Sequence, residues 1–127
     1  MLSAADQIDH LAIALVNSGG ALLEGSNTTV AEDDLSAYTE IGFQYPSGHR
    51  LYVTLTIDVT YGYPAWALYA YQFQDGDGRT VFRYDNWPHY RELETFPHHK
   101  HVGPDERIEA HTQPSLAAII REVSQYV

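Results

Sequence analysis

The fold is decided by residues 41–60, IGFQYPSGHRLYVTLTIDVT. Ile41, Phe43 and Tyr45 alternate with small or polar residues up to the turn Pro46-Ser47-Gly48. Leu51, Val53, Leu55, Ile57 and Val59 then alternate with Tyr52, Thr54, Thr56, Asp58 and Thr60. Successive side chains of a strand point to opposite faces, so this period of two predicts a β-hairpin with one dry face. Downstream, Gly62-Tyr63-Pro64 interrupts the chain, residues 66–74 form a further long strand, and Asp75-Gly76-Asp77-Gly78 turns it into residues 80–85. That turn resembles a calcium loop but has Asn86 where a bidentate Glu is required, so it reads as a hairpin turn.

Helices are expected at the two ends. Ser3 can cap a first helix with Asp6 three residues on, and Ile8, Leu11, Leu15 and Val16 share its apolar face before Ser18-Gly19-Gly20 stops it. Pro114 suits the first turn of a closing helix carrying Leu116, Ile119, Ile120 and Val123, with Arg121 near its C-terminal end. A short apolar stretch at residues 21–23 and a polar loop at 31–35 lie between the first helix and the hairpin. The expected fold is α+β: an antiparallel meander of about five to six strands, with an N-terminal and a C-terminal helix packed on one face. Residues 1–127 form one domain, a length that can bury a core without disulfides.

The chain is 44% hydrophobic and 19% charged, has ten tyrosines and no cysteine, and carries a formal charge of −10. Its apolar runs are far shorter than the roughly 20 residues of a membrane span, and its N-terminus lacks the basic-then-apolar pattern of a signal peptide. No membrane association and a cytoplasmic location are expected. No Gly-rich phosphate loop, G-x-S-x-G, H-E-x-x-H or cysteine nucleophile is present, which removes the corresponding enzyme classes. A net charge of −10 argues against a broad phosphate-binding face. The charge is uneven, however. Residues 79–107 hold five of the seven cations, four of the seven histidines and only five of the 17 acids, so this window is neutral and an anion can approach it.

Within that window, residues 82–101 read FRYDNWPHYRELETFPHHKH. Residues 86–113 show no clear period, and an irregular stretch of that length is expected to be a functional loop or to contain a hidden strand. Pro97 disfavours helix, so residues 97–101 are expected to be extended, with His99 and His101 on one face and His98 and Lys100 on the other. Two chemistries suit these residues. Cleaving an RNA phosphodiester needs a base, an acid and a cation for the phosphorane. His99 and His101 are the acid/base candidates, Arg83, Arg91 and Lys100 would stabilise phosphate, and Tyr84, Trp87 or Tyr90 could stack on a base. The catalytic set is His99, His101, Arg83 and Lys100. The surrounding ligand-binding set is Tyr84, Asp85, Asn86, His89, Arg91 and His98. Alternatively, the His99/His101 pair could ligate zinc or another divalent metal, with His89, Asp85 or Glu94 as third ligand and His89 the first choice. Structural roles compete throughout: Phe82, Tyr84 and Phe96 suit a core, Arg83 and Asp85 share a face and suit an ion pair, and Asp85-Asn86 with Pro88 suits a turn. A non-enzymatic protein-interaction module is a third reading.

Phe82-Arg83-Tyr84-Asp85-Asn86-x-Pro88-His89, followed by Thr95-Phe96-Pro97-His98-His99-Lys100-His101, resembles the signature of the TumE family, proposed toxins of prokaryotic toxin–antitoxin modules. The resemblance implies a small cytoplasmic protein encoded beside an antitoxin, typically a helix-turn-helix protein that neutralises it by direct binding. RNA is the candidate target, and a homodimer is compatible with the reading. Trp87 and Tyr90 depart from the small residue and histidine that the resemblance leads one to expect.

Overall fold

A computed structural model of the chain describes residues 3–127. Two helices and eight strands follow in the order α1 (Ala4–Asn17), β1 (Ala21–Leu22), β2 (Asn27–Val30), β3 (Ser36–Gln44), β4 (Arg50–Asp58), β5 (Ala65–Gln74), β6 (Thr80–Asp85), β7 (His99–Val102), β8 (Arg107–Ala110) and α2 (Leu116–Val123). All strands join one antiparallel sheet in the order β1-β3-β4-β5-β6-β7-β8, and β2 pairs with the same edge of β3 as β1. The α+β meander is as the alternation implied, with more strands than the expected five to six. The additional ones are short. β2 has all four residues exposed and so shows no alternation, and β7 and β8 are the hidden strands of the aperiodic stretch.

The dry face of the hairpin becomes the core. Ile41 and Phe43 of β3, Leu51, Val53, Leu55 and Ile57 of β4, Tyr69, Tyr71 and Phe73 of β5, and Phe82 and Tyr84 of β6 are buried in one cluster with Ile8, Leu11 and Leu15 of α1 and Ile119 and Val123 of α2. Both helices therefore cover the same face of the sheet, and the other face is left without a helical layer.

The caps follow the sequence. Ser3 Oγ accepts from the Asp6 amide at 3.0 Å, and Ser115 Oγ accepts from the Ala118 amide at 3.1 Å. Pro114 precedes the Ser115 cap instead of entering the first turn of α2. Val16 is 49% exposed, and Ala4 takes its place on the buried stripe of α1.

Register places the site. β6 and β7 pair as Asp85↔His99, Arg83↔His101, Tyr84↔Lys100 and Phe82↔Val102. Phe82 and Tyr84 face the helices, so Lys100 does too. Arg83, Asp85, His99 and His101 therefore stand together on the opposite face. Asn86, just past the end of β6, anchors this arrangement with its side chain: Oδ1 accepts from the Tyr69 amide at 3.0 Å, and Nδ2 donates to the Ala67 carbonyl at 3.0 Å.

Candidate functional site

Asp85 is the hub. It is the last residue of β6, only 3% exposed, and a buried carboxylate is tolerated only when its oxygens are engaged. Oδ1 accepts from the Trp87 amide at 2.9 Å and lies 3.0 Å from His99 Nε2. Oδ2 accepts from Arg83 Nε at 2.9 Å and lies 3.3 Å from His101 Nε2. Arg83 is fixed at its far end, where Nη1 donates to Gln72 Oε1 at 2.6 Å.

His99 is 2% exposed, and its Nδ1 is 2.9 Å from the Pro97 carbonyl oxygen. A carbonyl can only accept, so Nδ1 carries hydrogen and fixes the orientation of the ring. The contact between Nε2 and Asp85 Oδ1 is then attractive only when a proton or a cation lies between them. Tyr90, held at φ 59° in the loop that joins β6 and β7, stands edge-to-face with both histidines, with centroids 5.0 Å from His99 and 6.2 Å from His101. A positive φ is costly for a bulky residue, and here it directs an aromatic cover onto the cluster. The Phe96–Pro97 peptide at the end of this loop is cis.

His101 differs from His99. Burial lowers its imidazole below the ordinary histidine value, and His99 and Arg83 act in the same direction, against the opposing charges of Asp85 and Glu106. His101 Nε2 lies 3.3 Å from Asp85 Oδ2, and on a neutral ring hydrogenated at Nε2 the Nδ1 lone pair is free. The nearest acidic group to Nδ1, Glu106 Oε1, lies at 4.0 Å, too far for a hydrogen bond. The side chain keeps 15% of its surface. An oriented neutral imidazole of this kind can take a proton from a bound hydroxyl.

The remaining candidates are dispersed. Lys100, grouped with the histidines on sequence grounds, faces the helices: its Nζ is 2.7 Å from Glu122 Oε2 and lies over the Tyr84 ring at 4.8 Å. Tyr84 is buried, and its hydroxyl donates to Glu122 Oε1 at 2.6 Å, so it offers no stacking face. His98 also faces the helices, with Nδ1 2.8 Å from the Tyr69 hydroxyl. Lys100, Tyr84 and His98 thus lie on the helix side of the sheet, away from the His99/His101 pair. His89 and Arg91 are exposed in the loop. His89 packs edge-on against Trp87 and Tyr90, and the Arg91 guanidinium lies 5.9 Å from the Phe96 ring centroid. Phe82 joins the core as expected, whereas Phe96 is 37% exposed.

For a metal, the donors that come together are Asp85, His99 and His101, each with one ligand atom within 4.8 Å of the others. The third donor is Asp85 rather than His89 or Glu94. Zinc accepts such a set, and the His99 Nδ1 contact to a carbonyl is the usual orienting partner of a metal-bound histidine. Against this, Arg83 and the Trp87 amide already engage both Asp85 oxygens, and a dication would stand beside a guanidinium.

A family model of protein toxins matches residues 14–127, nearly the whole chain, including all eight strands and α2. That model is described as Toxin TumE, and the chain belongs to the TumE family. No curated protein and no solved structure matches it. Membership supports a toxin-like role and, in general terms, an antitoxin partner. No helix among the described residues is long and apolar enough to cross a membrane.

Proposed function

We propose that this chain is the toxin of a prokaryotic toxin–antitoxin pair and acts in the cytoplasm as a metal-independent ribonuclease centred on His101. One observation carries the reading: a buried carboxylate, Asp85, orients both a cation, Arg83, and a neutral imidazole, His101, on the face of the sheet that has no helical cover. His101 Nδ1 takes the proton of a ribose 2′-hydroxyl. The freed oxygen attacks phosphorus, the bond to the 5′-oxygen breaks, and the departing oxygen takes a proton from water. Products are a 2′,3′-cyclic phosphate and a 5′-hydroxyl end. Arg83 stabilises the negative charge that develops on the phosphorane. His99 positions Asp85 and does not touch substrate, while Lys100 supports the fold. The expected antitoxin is a helix-turn-helix protein that binds the toxin directly.

Induced expression in a bacterial host tests this. Wild-type protein should arrest growth, His101→Ala and Arg83→Ala should relieve the arrest at equal protein level, and Lys100→Met should not. Relief by none of the site variants would remove the cluster from the toxic activity. A second reading, a divalent ion held by Asp85, His99 and His101, is favoured by their donor geometry. It requires that chelation abolish activity and that added metal restore it.

A further inference from the structure

Gly42, Tyr52, Gln72, Arg83 and His101 stand directly opposite one another on β3, β4, β5, β6 and β7. They form one row across the face of the sheet without helices. Tyr52 and His101 are three strand spacings apart, roughly 14 Å.

The Tyr52 end of the row is a built site. Residues between β1 and β2 close over β3 and β4 to leave a cavity of about 550 Å³, lined by Glu24, Ser26, Glu40, Arg50, Tyr52 and Thr54 among others. That volume suits a small organic group. The Tyr52 ring lies in the space that the missing side chain of Gly42 leaves: a Cβ there would meet Tyr52 Cδ1 at 3.2 Å and Leu23 Cδ1 at 3.0 Å. Arg50 Nη1 donates to the Tyr52 hydroxyl at 3.3 Å, and Tyr52 remains 36% exposed. The ring thus packs against the bare backbone at Gly42, borders the cavity and stays partly open to solvent. Between this site and His101 the row is Gln72 bonded to Arg83, a neutral amide followed by a cation.

We propose that this row guides single-stranded RNA, with one base stacked on Tyr52 in the cavity and the sugar–phosphate chain crossing Gln72 to Arg83 and His101. The inference rests on the ribonuclease reading for the identity of the polymer. A flat aromatic is a sequence-tolerant platform for an unpaired base. The carboxylates of Glu24 and Glu40 repel phosphate from the cavity and can accept N–H groups from a base edge, so the base rather than the backbone enters. The separation from His101 makes the stacked base a flanking one, not the base of the reacting nucleotide. Arg83 is the cation of the row placed to meet phosphate, which gives a shallow salt dependence, with a log–log slope of about −0.7 for a single strand.

The test is fluorescence anisotropy with short, fluorescein-labelled, mixed-sequence 2′-O-methyl oligoribonucleotides, which lack the hydroxyl needed for cleavage, alongside cleavage of the unmodified strand. Tyr52→Leu keeps Gly42 covered but removes the aromatic face. It should weaken binding about tenfold or more and raise KM with kcat retained, whereas Tyr52→Phe should bind within about twofold of wild type. Should Tyr52→Leu fail to fold, Arg50→Gln, which removes the guanidinium from the Tyr52 hydroxyl and from beside the cavity carboxylates, serves in its place, with weaker binding. Cleavage by wild type with binding and KM indifferent to these changes overturns the guiding row and leaves the ribonuclease reading standing. Tyr52-dependent binding without cleavage supports the row and overturns that reading. Absence of single-strand binding by wild type overturns the row.

Discussion

Asp85 and His99 face each other in register across β6 and β7, with Asp85 Oδ1 3.0 Å from His99 Nε2 and both residues no more than 3% exposed. The pair closes the buried side of the cluster, and Asp85 carries the contact on to Arg83 and His101. Removing the carboxylate leaves the Arg83 Nε and the Trp87 amide without their acceptor and takes the opposing charge from beside two imidazoles. Asp85→Ala is expected to cost about 1–3 kcal/mol, read as a lower urea midpoint with little change in slope. A loss below about 1 kcal/mol would mean that the contacts around Asp85 are not formed in solution.

Two histidines give a pH signature. Burial, assisted by His99, lowers His98 as well as His101 from the ordinary value of 6.5. A depressed folded-state value means that the unfolded chain binds more protons at mildly acidic pH. The stability due to these groups is therefore fully present above about pH 6.5 and is lost as pH falls through their folded-state values. Denaturation midpoints should drop between pH 7 and pH 5, and less steeply in His101→Gln. The charges facing His101 are Asp85, His99, Glu106 and Arg83, so Glu106→Gln should lower its apparent value further. The rate of RNA cleavage should rise with an apparent pKa below 6.5.

Lys100 separates structure from chemistry. Its ammonium ties β7 to α2 through Glu122 and lies over the Tyr84 and Phe82 rings. Lys100→Ala should destabilise by about 1–3 kcal/mol. Cleavage per folded molecule should be unchanged, because the side chain lies on the helix side of the sheet.

Tyr71 offers a stabilising change. It is fully buried, and its hydroxyl has no hydrogen-bond partner among the described residues. Burial, with Tyr69 beside it, pushes the phenol upward, so the group stays un-ionised. Tyr71→Phe should be neutral or stabilise by up to about 1 kcal/mol in thermal or chemical unfolding.

How much of this the sequence carries depends on the range of the interaction involved. The long strands β3, β4 and β5 are legible because each buries alternate residues, and the division of His99 and His101 from His98 and Lys100 follows from the same alternation. β2 is not legible, since an edge strand with every residue exposed leaves no pattern. Nor is the hub. Asp85 lies 14 positions before His99 and meets it only because β6 and β7 pair in that register. Gln72, which fixes Arg83, and Glu122, which holds Lys100, are likewise set by tertiary contacts that no local spacing signals.

The chemistry proposed for this face has His101 and Arg83, held beside Asp85, cleave RNA without a metal. Its most direct test is mass spectrometry of a defined oligoribonucleotide after incubation with purified, tag-free protein in excess chelator. The expected result is a pair of fragments ending in a 2′,3′-cyclic phosphate and a 5′-hydroxyl, lost in His101→Ala and Arg83→Ala. An intact oligonucleotide, or cleavage that persists in both variants, would contradict it.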